Sequence, residues 1–229
     1  MKKTFYTEAA YFIGMPVLAL GTAMMEYADF GLSMVVAPAY LVYLKLSAVY
    51  PFLTFGMAEY LFQALLLVVL FLVMGRFQVR YLFAFVSTLF YGACLDGWML
   101  LTGCLPQGVL ALRILFYILG LLICAGGVSL LFHTYLPPEV YELFVKEISD
   151  KYGFVTHRCK TCYDCISCLV AIGMSFLFFG FGHFEGVKLG TVFCALVNGW
   201  LIGRCSALLD ARFAFVDRFR PQPKGEEGI

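Results

Sequence analysis

Five polar residues stand in apolar surroundings where a side chain must do something to stay. Glu59 and Gln63 are four residues apart in a run that otherwise reads as Leu, Val and Phe. On a helix, positions i and i+4 share a face, so carboxyl and amide point the same way. Asp164 and Asn198 fall in two later apolar stretches, and Asp29 sits in the segment Glu26-Tyr-Ala-Asp29-Phe-Gly-Leu-Ser33. A carboxylate in hydrocarbon costs several kcal/mol unless it is paired, protonated or wetted, so such residues usually face a cavity or an ion path. The chemistry this suggests is binding of a proton, a cation or a small polar solute. The plainer alternatives stay open: either acid can cap a helix or pair with Lys160 or Arg158, and Asn198 can be an interhelical hydrogen bond worth about 0.6–2 kcal/mol. For Asp29 the alternatives are a ligand-presenting loop or an ordinary helix stop at Gly31.

A second constellation is Cys159, Cys162, Cys165 and Cys168, an unbroken run of CxxC steps. Zinc or an iron–sulfur cluster needs thiolates converging from a loop or turn. On a helix, steps of three residues spread the four sulfurs over about 13 Å along the axis. The reading is therefore small, polarizable packing residues, with no metal and no cofactor. There is no GxGxxG, Walker sequence, HExxH or Ser-His-Asp set, and His133, His157 and His183 lie at or beyond the ends of apolar segments. No catalytic residue is assigned and an enzyme is not expected.

What must position these residues is a membrane bundle. Hydrophobic residues make up 62% of the 229, charged residues 14%, and mean hydropathy is +0.88. Soluble chains average roughly 25% charged. Nine cysteines, an odd number lying mostly in apolar segments, do not form the framework of a secreted domain. A helix needs roughly 20 apolar residues to cross about 30 Å of hydrocarbon. Six segments qualify: Glu8–Met25, Phe52–Gly75, Tyr81–Thr102, Ala111–Phe132, Tyr163–Phe181 and Lys188–Leu209. Leu32–Tyr50 contains Pro38 and Lys45 and suits a re-entrant or interfacial helix. Pro138–Tyr152 mixes charged and apolar residues at helical spacing and reads as an amphipathic surface helix. With six spans, Lys and Arg gather on the side that holds both termini, leaving Lys45, Arg113 and Lys188 opposite; the positive-inside rule then makes the terminal side cytoplasmic.

The chain also repeats. Tyr11, Gly14, Ala19 and Gly21 match Tyr117, Gly120, Ala125 and Gly127 at an offset of 106; Gly75 matches Gly180 at 105, and Gly92 matches Gly199 at 107. Each half, about 8–104 and 111–210 with a tail at 211–229, has three spans, so the halves must be inverted with respect to one another. The expected fold is all-α: six transmembrane helices as two inverted three-helix repeats, plus the re-entrant segment and the surface helix, in one membrane domain. The offset superposes Glu59 on Asp164.

Ala28-Asp-Phe-Gly-Leu-Ser33, Thr54-Phe-Gly-Met-Ala-Glu-Tyr60 and Gly190-Thr-Val-Phe-Cys-Ala-Leu-Val-Asn-Gly199 resemble the YczE/YitT-type bacterial multipass membrane proteins. The resemblance covers most of the chain. It implies a bacterial inner membrane and no established substrate.

The functional expectation is a small-solute or ion transporter with substrate-binding groups Glu59, Gln63, Asp164, Asn198 and Asp29. The partners expected are the lipid bilayer, a small solute, cation or proton, and a second copy of the chain, with no nucleic acid. The alternative is a membrane regulator or assembly factor that holds a cytoplasmic partner through Pro138–Tyr152 and the basic tail.

Overall fold

The structure is a computed structural model that describes residues 2–31, 33–76, 78–105, 109–180 and 187–219. Leu32, Phe181, His183 and the tail beyond Phe219 lie outside the described residues. The elements run β1 (Lys3–Tyr6), α1 (Thr7–Ala28), α2 (Ala37–Ser47), α3 (Phe55–Met74), α4 (Val79–Gly103), α5 (Leu110–Phe132), α6 (Val140–Tyr152), α7 (Thr156–Phe179), α8 (Leu189–Arg212) and β2 (Phe213–Val216). Six of these helices, α1, α3, α4, α5, α7 and α8, are long and apolar enough to span a bilayer.

The distribution of side chains argues for lipid around them. Leu177 is 83% exposed and Leu169 is 69% exposed, whereas Asp164 on the same helix is fully covered. A chain with leucine outside and carboxylate inside is stable only where the surroundings are as apolar as leucine.

α1 and α5 form the central seam. A Cβ added at Gly21 would lie 2.7 Å from the Gly120 carbonyl oxygen, and one at Gly127 would lie 3.0 Å from the Gly14 carbonyl oxygen. Gly14 therefore meets Gly127 while Gly21 meets Gly120, so the two helices run antiparallel with backbones touching. Only small residues permit that approach. α4 also packs on α1, and α8 on α5; α3 pairs with α4, and α7 with α8.

The two short helices occupy matching niches. α2 lies against α3 and α7, and α6 against α7, α3 and α4. Val140 N–H donates to Gln63 Oε1 at the start of α6, and Lys151 Nζ donates to the Val73 carbonyl at its end. α6 thus runs beside the second half of α3, about 15 Å of rise and half of a hydrocarbon core. α2 does the same beside α7: Ala37 and Leu41 pack with Ala171, and Lys45 Nζ reaches the Phe178 carbonyl at 2.9 Å. Prolines set these starts: Pro38 occupies the first turn of α2, where its missing N–H costs nothing, and Pro137 and Pro138 precede the N-cap Glu139 of α6.

α6 is amphipathic as its sequence suggests, yet much more enclosed than a helix lying on a surface. Tyr141 is fully covered, and Glu139 and Glu142 are each 2% exposed. Glu139 is met by Gln63 of α3, Glu147 by Arg80 and Tyr81 of α4, and one oxygen of Glu142 by Lys160 of α7, which local sequence cannot reveal. α7 begins at Thr156, seven residues before the expected Tyr163, so Asp164 lies more than two turns inside it. Hydropathy loses that first stretch because His157, Arg158 and Lys160 are strongly polar.

Where α1 begins and α8 ends, β1 and β2 pair in parallel, with Lys3 opposite Phe213. Glu8 accepts backbone N–H bonds from Arg218 and Phe219, and Thr7 donates to Asp217 at 2.8 Å.

Candidate binding centre

α3 supplies two of the centre's residues because its N-terminus is pinned. Thr54 Oγ1 accepts from Met57 N–H and donates to Asp96 Oδ2, and Asp96 Oδ1 accepts from Gly56 N–H at 3.0 Å. That fixes the rotation of α3 and turns Glu59 and Gln63 inward, both fully covered. The orientation of the Gln63 amide is determined by the Val140 N–H, which can only donate and therefore needs the amide oxygen, at 3.0 Å. Thr88 Oγ1 lies 2.7 Å from the same oxygen. The amide nitrogen is left to face two carboxyl groups, Glu59 Oε2 at 3.2 Å and Glu139 Oε2 at 3.1 Å. Tyr141 adds a hydrogen bond to Glu59 Oε2 at 2.9 Å.

The other half of the centre is built on α7. Lys160 Nζ lies 3.1 Å from Glu142 Oε1 and 3.3 Å from Asp164 Oδ1, all three side chains being 3% exposed or less. Asn198 of α8 donates to Asp164 Oδ2 at 3.5 Å. Glu139, the N-cap of α6, and Glu142, three residues on, line the same cavity and join the two halves. Burial pushes the Glu139 carboxyl well above the usual carboxylate range, and the facing charges of Glu142 and Glu59 push it further.

Four carboxyl groups and one ammonium are thus enclosed together. Fully ionised, they would carry three uncompensated negative charges in a low-dielectric interior, which is prohibitive without protons or a bound cation. Among the described residues, three buried acceptors of this cluster have no donor: Glu59 Oε1, Glu142 Oε2 and Asn198 Oδ1. Asp164 Oδ1 also lacks a hydrogen bond of good geometry, but it faces the Lys160 charge. Glu139, Glu142, Lys160 and Asn198 line a cavity of about 20 Å³, together with Thr22 and Tyr91. That is room for about one water-sized species.

Glu59 and Gln63 are therefore joined directly, as are Asp164 and Asn198, and α6 links the two pairs. Asp29 is not brought to them. It lies at the far end of the bundle, 63% exposed in its side chain, bridging Arg113 at 3.0 Å and Lys188. It adopts a left-handed conformation, φ 56°, as the C-cap of α1. Glu139, Tyr141 and Glu142 are the residues that sequence reasoning left outside the site. The available signal was Pro137-Pro138-Glu139 followed by a second acid three residues on, an acid-rich helix start behind a proline break.

The four cysteines of the CxxC run all lie on α7, where Cys168 is buried and Cys162 exposed. Among the described residues, no group of three or more His, Cys, Asp or Glu is arranged to hold a metal.

Six spanning helices with lipid-facing leucines and an enclosed charged centre define a multipass integral membrane protein. A family model, DUF6198, described as a family of unknown function, matches residues 5–207, and the chain belongs to that family. No curated protein and no solved structure matches it.

Proposed function

We infer that the protein carries a small solute or ion across a bacterial inner membrane through the enclosed carboxylate and lysine centre. The observation that carries this reading is the charge imbalance where the inner end of α6 meets α3 and α7: unpaired acceptor oxygens beside a water-sized cavity, at mid-bundle depth. A purely structural core gains nothing from such an arrangement, because well-packed apolar residues of similar volume are usually as stable or more so. No enzymatic reaction is assigned.

An inverted repeat belongs to this reading, and matched contacts support it. Lys45 and Lys151, separated by the repeat offset, each reach the last turn of a long helix from the other half, at Phe178 and Val73. Gly14 and Gly21 meet Gly127 and Gly120 across the seam, so each half presents the same surface to the other. Half-length helices whose N-termini end at mid-membrane are a recurrent transporter device, and rocking of one half against the other about a fixed centre is the mechanism by architectural analogy. The likeness to YczE/YitT-type proteins and the cytoplasmic placement of both termini stand with this proposal. The regulator reading drew on an exposed Pro138–Tyr152, and the cover over Glu142 leaves it less surface there.

The test is ligand-dependent thermal stability of the detergent-purified protein across a panel of small metabolites and ions, with Glu59→Gln and Asp164→Asn alongside. A stabilising ligand whose effect vanishes in both variants is expected. Stabilisation by no compound, with both variants folding normally, would turn the assignment toward a regulator.

A further inference from the structure

The centre has an aqueous neighbour on one side. A chamber of about 400 Å³ opens toward the end with the termini, lined by Lys146, Asp150, His157 and Asp210 among others. Four helices run directly from the central cavity to its wall, each in one helical turn: Val128 to Phe132 on α5, Glu142 to Lys146 on α6, Lys160 to Thr156 on α7 and Asn198 to Ile202 on α8. One turn is about 5.4 Å. Ile202, 1% exposed, stands between the two spaces. Toward the opposite end the recess beside Glu26 and Asp29 shares the α1 wall, one turn away through Thr22 and Glu26, and the α4 wall only three turns away, from Tyr91 to Thr102.

We propose that Glu139 and Glu142 form an acid–carboxylate pair that holds one exchangeable proton, loaded and released through the chamber between α5, α6, α7 and α8. Glu139 is the acid and Glu142 the acceptor. Gln63 Nε2 occupies Glu139 Oε2, and Lys160 occupies Glu142 Oε1, so Glu142 retains an oxygen with no donor. Two carboxyl groups, each 2% exposed, three residues apart and lining one small cavity, cannot both ionise without a counter-charge, and a proton supplies it. On release, Glu139 becomes a carboxylate and the proton passes to water in the cavity and on to the chamber.

The groups facing the pair are Tyr11 from α1, Glu59 from α3, Tyr91 from α4, Cys124 from α5, Tyr141 on α6 itself, and Lys160, Tyr163 and Asp164 from α7. Only Lys160 among them is cationic, and it already serves two carboxylates. Departure of the proton therefore leaves a charge that a cationic or proton-donating solute would neutralise. This is how the pair would couple proton release to binding, and it rests on the reading of the cluster as the binding centre.

The measurement is the infrared C=O stretch of protonated carboxyl groups in the lipid-reconstituted protein, titrated with pH and followed after transfer to heavy water. A protonated carboxyl band is expected at neutral pH, with a component that declines at alkaline pH and is lost in Glu139→Gln. Glu142→Gln should shift the band rather than remove it, which keeps the test informative if one variant fails to fold. A Gly203→Leu change narrows the chamber where an added Cβ meets nothing closer than 3.7 Å; it should slow deuterium exchange of the band without abolishing it. Absence of the band at neutral pH, or its unchanged persistence in Glu139→Gln, would overturn the proton pair. Exchange unaffected by Gly203→Leu would overturn the route. The band is read without any transport assay, so its presence together with no stabilising ligand would sink the transport reading while leaving the proton pair standing.

Discussion

α2 and α6 are the same mechanical device with different chemistry. Each is a half-length helix behind a proline-marked start, laid along the second half of a long helix. Each ends on a lysine that caps that helix's last carbonyls, at 2.9 Å for Lys45 and 3.1 Å for Lys151. Cations at a helix C-terminus complement its dipole and its orphan carbonyls. The starts differ entirely. Val35, Val36, Ala37 and Ala39 make the entry to α2 an apolar plug, whereas Glu139, Tyr141 and Glu142 put two acids and a phenol at the entry to α6. Two half-length helices in similar niches provide two places where a polar site can be built, and only the entry to α6 carries acids. The asymmetry teaches that the fold supplies depth and direction, while side chains choose which half does chemistry.

Four variants or titrations can sharpen or break this comparison. The largest effect is expected from Lys160→Met, which strands Glu142 and Asp164 without their cation. Breaking a buried pair from one side costs about 3–5 kcal/mol, readable as a fall in thermal midpoint. A loss below about 1 kcal/mol would mean that the acids need no cation.

pH dependence comes next. The folded-state pKa of Glu139 is raised above its ordinary value of 4.5 by burial and by neighbouring acids. Between the two values the folded protein binds more protons than the unfolded chain, so its stability falls as pH rises through that window and is highest below it. Thermal midpoints of wild type and Glu139→Gln across pH should show the slope flattened in the variant; an identical slope would remove Glu139 from the account.

Tyr141→Phe removes a bond to Glu59 and leaves a buried oxygen short, for about 1–3 kcal/mol. An effect near zero would place water or another donor at that oxygen. The smallest effects are expected from Lys45→Ala and Lys151→Ala, each about 0.3–1 kcal/mol and equal within error. A marked inequality between the two would break the likeness of the half-helices.

How much of this was legible in the chain depends on the range of each interaction. The i, i+4 spacing placed Glu59 and Gln63 on one face, and they are bonded at 3.2 Å. The same spacing relates Lys160 to Asp164, the plain pairing alternative, which the structure contains at full burial. Glu139 and Glu142 escaped because a thirteen-residue helix with three acids and two lysines, behind an acidic N-cap, has the composition of a surface element; only its docking against Gln63 and Lys160 makes it interior. Asp29 went the other way. Beside Glu26 and a glycine it looked like part of a re-entrant site, but Arg113 and Lys188, about 85 and 160 residues along the chain, hold it at the exposed end.

The sequence by itself determined the apolar lengths that must span, the proline breaks that shorten α2 and α6, and the glycines that let α1 touch α5. These are properties of single segments in a solvent that cannot satisfy a free backbone group. Which acids share a centre, which cation they share and where the open chamber lies were decided only in the tertiary structure. Burial and pairing of a charge depend on groups brought together from α3, α6, α7 and α8, and no local pattern records that convergence.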